Sequence, residues 1–169
     1  MRASFGASAT RSTQAFLAIA VAGLVAGILD ITSAFIIYGA KGATPVRILQ
    51  SVASGLLGPQ SFNGGFATAG LGLALHFVIA LGAAAVFYAA SRKLSILIQH
   101  PVASGLAYGL AIYAFMNLVV LPLSAATPRY SVYSVVSQLI VHPLLIGVPI
   151  ALIVRRFSRP RASAAPNDL

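Results

Sequence analysis

Four strongly polar side chains stand inside otherwise apolar stretches of this chain: Asp30, His76, Asn117 and His142. An aspartate and a histidine can pass a proton between them, because imidazole titrates near neutral pH. Two histidines can also ligate haem iron or a transition metal. A carboxylate in the middle of a membrane helix costs about 2.5–3.5 kcal/mol on insertion scales, so Asp30 needs a reason to be there. What is missing narrows the chemistry further. The chain has no cysteine, which removes disulfides, thiol catalysis and Cys-ligated zinc or iron–sulfur centres. It has no Gly-rich phosphate loop, paired carboxylates, Ser/His/Asp set or HExxH pattern, so a hydrolase or kinase finds no support.

The composition says what surrounds these residues. Of 169 residues, 59% are hydrophobic and only 8% charged, against about a quarter charged in soluble domains. Such a chain has too little polar surface to cover a core in water, whereas lipid can face apolar side chains directly. The lipid bilayer is therefore the expected partner. The net charge of +9 does not indicate nucleic acid, because the basic residues cap the ends of apolar runs and form no single patch.

In chain order, residues 1–13 read as a cytoplasmic lead-in. The first span covers about 14–38, and its apolar pattern runs on past the weak Thr32-Ser33-Ala34 cleavage motif, which favours a retained helix over a signal peptide. Thr44-Pro45 opens an amphipathic helix over about 45–57. Val46, Leu49, Val52, Ala53 and Leu56 fall on one face and Arg47, Gln50, Ser51 and Ser54 on the other. This helix is expected to lie in the membrane interface or to cover the bundle as a lid. Further spans cover about 66–90, 102–123 and 132–154, the last bent by Pro143 and Pro149. Together 14–157 form one transmembrane domain, and 158–169 a disordered cytoplasmic tail. The expected fold class is all-α: a four-helix transmembrane bundle with a short interfacial helix between spans 1 and 2.

Basic residues set the orientation. The N-terminus, second connection and C-terminus hold Arg2, Arg11, Arg92, Lys93, Arg155, Arg156, Arg159 and Arg161, whereas the other side holds Lys41, Arg47 and Arg129. Eight against three puts both termini in the cytoplasm. Tyr38, Phe62, Phe66, Tyr130 and Tyr133 would form an outer aromatic belt, and Phe16, Phe87, Tyr88 and Phe157 an inner one. A faint parallel repeat relates the two hairpins. Gly23 and Gly27 in span 1 match Gly105 and Gly109 in span 3, and spans 2 and 4 each carry a histidine about ten residues in. These GxxxG pairs let helix backbones approach closely, within the chain or in a homo-oligomer.

At about 1.5 Å per residue from the outer ends, Asp30 lies about 12 Å deep, both histidines about 15 Å and Asn117 about 10 Å. Polar groups in hydrocarbon turn inward and find one another. The spans hold no Lys or Arg, so a histidine is the expected partner of Asp30. Three functions fit these residues. One is a proton-linked carrier or small-solute pathway using Asp30, His76 and His142, with no cofactor. The second is a membrane protein binding haem b or a transition metal through His76 and His142. The third is a structural or accessory subunit, associated with other membrane subunits, in which the cluster only fixes helix register.

The stretches GILDITSAF, ASGLLG, LHFVIALGAAAVFYAA and MNLVVLPLS resemble those of a family of small, uncharacterised four-span bacterial inner-membrane proteins, over roughly residues 15 to 155. The resemblance implies location and span count and brings no site residue or activity with it.

Overall fold

A computed structural model describes residues 2–127 and 131–158, with side chains from residue 12 onward. Of the expected tail only Ser158 is described, as the last residue of a helix; residues 159–169, together with Arg129 and Tyr130, lie outside the described residues. The elements among the described residues are all helical, in the order α1 (Arg2–Gly39), α2 (Pro45–Leu57), a 3-10 turn (Gly58–Asn63), α3 (Gly65–Ser91), a single turn α4 (Ile96–Gln99), α5 (Pro101–Leu123) and α6 (Val132–Ser158). Four of these, α1 from Ser12, α3, α5 and α6, are long and apolar enough to cross a bilayer. The chain is an integral membrane protein built as an all-α four-helix bundle. The backbone of α1 is already helical at Arg2, so the lead-in continues the span.

Small residues decide how the helices meet. On α1, Ala18, Ala22 and Ala26 are fully buried, and Ala22 and Ala26 pack in the core against Ile146, Ile150, Ala151 and Val154 of α6. The neighbouring stripe, Gly23 and Gly27, faces α3: a Cβ at Gly23 would lie 2.8 Å from Leu81 Cα, and one at Gly27 2.8 Å from Phe77 Cε1. The second hairpin uses its pair in the same way. A Cβ at Gly105 would lie 2.7 Å from Val148 Cα, and one at Gly109 would collide with the His142 carbonyl and Pro143 Cα. In lipid there is little hydrophobic drive between helices, so close backbone approach is what holds such pairs together.

The packed core occupies the half of the bundle nearest the chain termini. Phe87 of α3 is buried there, edge-on to Tyr108 at 5.0 Å, and the Tyr108 hydroxyl donates to the Ala83 carbonyl at 2.7 Å. Phe87 therefore does not belong to an inner aromatic belt: it turns inward and packs in one cluster with Ala22 and Ala26 of α1 and Ile150, Ala151 and Val154 of α6.

The opposite half is organised by α2. Thr44 caps it, accepting from Arg47 N at 3.3 Å, and Pro45 takes the first helical position. Its buried face mixes the two sides of the pattern: Ile48 and Ala53 are buried as apolar residues, but Gln50 and Ser54 are buried with them and Leu56 is 63% exposed. The reason is the neighbour and the solvent. Gly72 lets α2 lie backbone to backbone on α3 at Leu49 and Ala53. Gln50 Nε2 donates to the Gly65 carbonyl at 3.0 Å and to Thr68 Oγ1 at 3.3 Å. Polar groups gain by turning to the protein and apolar ones lose nothing by facing lipid. A hydrogen bond from Ala125 N to the Gly55 carbonyl, 2.9 Å, ties the other side of α2 to the turn after α5. The helix thus roofs the bundle.

Two π-helical turns interrupt α5 and α6, at Met116–Val120 and His142–Gly147. Prolines account for both. Pro122, Pro143 and Pro149 have no N–H to give and their rings crowd the preceding turn, so the backbone widens locally instead of breaking. Asn117 lies in the first widened turn and His142 opens the second.

Candidate functional site

Asp30, His76 and His142 share one cavity of about 190 Å³ below the roof. Three helices bring them there, α1, α3 and α6, and α2 contributes Val52 to the lining. Ile112 and Met116 of α5 complete one wall. Asp30 and His76 are placed by the same close contact. Gly27, one turn before Asp30, admits α3 near enough for His76 Nε2 to bond its carbonyl at 2.9 Å. A carbonyl only accepts, so Nε2 carries the proton. The other ring nitrogen, Nδ1, faces Asp30 Oδ2 at 3.9 Å. That separation is too long for a direct hydrogen bond and suits a bridging water or a small side-chain movement. The two side chains keep 22% and 12% exposure, Asp30 and His76 respectively, so the pair is not sealed. Both imidazoles are close enough to act electrostatically on the carboxylate.

His142 is held differently. Its ring sits edge-on to Tyr113 at 5.4 Å. Its buried Nδ1 has no well-formed hydrogen bond among the described residues; the Gln138 carbonyl one turn back approaches it without good geometry.

A second, larger cavity of about 720 Å³ lies beyond His142. It is a vestibule lined among others by Tyr38, Arg47, Ser51, Asn117, Ser134 and Gln138. Tyr38 anchors its wall: its hydroxyl accepts from Gln138 Nε2 at 3.1 Å and shares a hydrogen bond with Ser134 Oγ, also 3.1 Å. His142 and Met116 line both cavities. The histidine therefore stands at the neck between the polar vestibule and the Asp30–His76 pair. The packed core, with Phe87, Tyr108 and Ile146, closes the opposite end.

Asn117 is not part of the inner group. It lines the vestibule, and its Nδ2 donates to the Tyr113 carbonyl at 2.9 Å, filling a gap in the widened helix. Compared with family models, curated proteins and solved structures, the chain has no match. The site's chemistry rests on its own geometry.

That geometry does not suit haem. His76 Nε2 is engaged by the Gly27 carbonyl, and the space between the rings is smaller than the roughly 300 Å³ of even modest ligand pockets. Among the described residues no three His or Asp side chains are arranged to hold a metal ion. What the arrangement can do is move a proton. With Nε2–H fixed, Nδ1 of His76 can take the Asp30 proton through one water, giving carboxylate and imidazolium, and can return it.

Residue spacing carries no sign of the Tyr38–Ser134–Gln138 network or of Val52 reaching the inner cavity. The prolines were the visible signal for the widened turns.

Proposed function

We propose that this protein is a proton-linked carrier of a small solute, in which Asp30 and His76 hold the transported proton and His142 joins them to the vestibule. The observation that carries the reading is that His142 lines both the vestibule and the Asp30 cavity. A titratable pair at membrane depth, reachable from one end and closed by packed side chains at the other, is one half of an alternating-access cycle. The bilayer is the bacterial inner membrane, as the family resemblance suggests, and both termini are cytoplasmic by the eight-to-three count of basic residues. The vestibule then opens to the periplasm.

The test is transport by the full chain in liposomes enclosing a pH-sensitive dye. A carried solute added outside should acidify or alkalinise the lumen only when the protein is present, and an imposed pH gradient should drive its accumulation. Solute uptake indifferent to the gradient, or no solute-linked proton movement from a broad library, overturns the reading. Orientation has its own expected result. Reporter fusions at Gln60 and Thr127 should report the periplasm and a fusion at Leu97 the cytoplasm; the reverse pattern overturns the assignment.

A further inference from the structure

The vestibule has an unbalanced charge. Arg47 lines it, and no carboxylate among the described residues does. The chain has two acidic residues, Asp30 and Asp168; Asp30 belongs to the inner cavity, and Asp168 lies outside the described residues. Arg47 rests instead on the ring of Phe62, 4.7 Å from its centroid, a contact that orients a guanidinium without neutralising it. Its position adds to the imbalance. It lies in the first turn of α2, the end of a helix whose dipole attracts anions and repels cations. Lys41, on the same side, likewise lies over an aromatic ring, that of Tyr133, at 3.7 Å. A cation at the wrong helix end, on a cavity wall, with a flat face of five donors, is suited to a carboxylate or another planar oxyanion.

We infer that the vestibule binds a small organic anion through Arg47, so that the carried solute is a weak acid. This deepens the carrier reading and rests on it for the proton step. The two cavities divide the work by their linings. The head of the acid meets Arg47 and the polar wall of Tyr38, Asn117 and Gln138, and its short apolar part fits the inner cavity, where the wall is formed by residues such as Ile79, Ala83 and Ile112. A carboxylate travels poorly through hydrocarbon as an ion. A proton carried with it from Asp30 or His76 makes the pair neutral, which gives the acidic site and the basic vestibule a common purpose.

The experiment is calorimetric binding to the full chain in detergent, with acetate, butyrate, benzoate and inorganic phosphate as probes, each organic acid paired with its neutral amide. At least one acid should bind and its amide should not. Arg47→Gln should raise the Kd at least about tenfold, equivalent to ~1.4 kcal/mol; Arg47→Lys should recover part of the loss, and Lys41→Gln should leave binding near wild type. Acid and amide binding alike, no probe binding, or an unchanged Kd in Arg47→Gln overturns the inference. So does retention of anionic phosphatidylglycerol by Arg47 when none of the soluble acids binds, which would make the partner a lipid headgroup. The carrier reading is tested apart from this one. Proton-linked uptake of a neutral solute, unchanged in Arg47→Gln, removes the anion and leaves the carrier. Arg47-dependent acid binding without any proton movement does the reverse.

Discussion

Asp30→Asn should fold as the wild type does and lose proton-linked transport to the level of protein-free liposomes. Asparagine keeps the size of the side chain and its ability to hydrogen-bond, but it cannot titrate. The stability half of this result follows from the geometry. Asp30 Oδ2 and His76 Nδ1 are 3.9 Å apart, so no direct hydrogen bond between them is lost. Polar contacts between membrane helices are worth about 0.6 kcal/mol on average in any case. His76 also keeps its bond to the Gly27 carbonyl. The unfolding midpoint in a denaturing-detergent titration should therefore shift by less than about 1 kcal/mol in equivalent stability. The transport half follows from Asp30 being the only acidic side chain in any of the four spans. If the cluster serves helix register alone, the variant transports as well as the wild type. Retained coupling in a folded Asp30→Asn protein would sink the proton-carrier reading.

The second large effect is on stability. Gly109→Leu should destabilise the bundle by at least about 2–3 kcal/mol, the upper part of the usual range for overpacking. The obstacle at Gly109 is backbone, the His142 carbonyl and Pro143 Cα, and backbone cannot rotate away as a long side chain does. Gly147 on the facing helix is as tightly placed against Gly105 and Gly109, so α5 and α6 would have to separate. Because the displaced segment begins with His142, the same variant should also weaken transport. Gly82→Leu is the control: nothing lies within 4 Å of a Cβ there, and the change should be within about 0.5 kcal/mol. Equal unfolding midpoints for the two variants would show that this glycine contact contributes nothing.

The two expectations sit on different levels of organisation. The fold was legible because lipid makes strong demands on sequence. Four long apolar runs, Pro and Thr at the start of α2, and glycines spaced for close helix approach each follow from satisfying the backbone or letting backbones meet. The face that α2 buries was legible only in part: Ala53 is buried as the pattern expects, but Gln50 and Ser54 are buried beside it. Amphipathic patterning assumes water on one side, whereas here Gln50 meets the carbonyl of Gly65 and Leu56 points away. The same limit misplaced Phe87, whose position near a span end resembles an interface anchor until the helices packed around it are known.

By itself the sequence determined the environment, the number of spans and the list of residues able to hold a proton. Depth along a helix follows from counting residues. Direction around a helix, and which helix is the neighbour, do not. Only the tertiary structure decided that Asp30, His76 and His142 surround one cavity while Asn117 turns to the Tyr113 carbonyl in another. It alone decided that His142 stands between the two spaces and that Arg47 faces the larger one. These are consequences of rotation about helix axes and of turns widened by proline, which side-chain contacts between distant segments fix and local residue spacing does not.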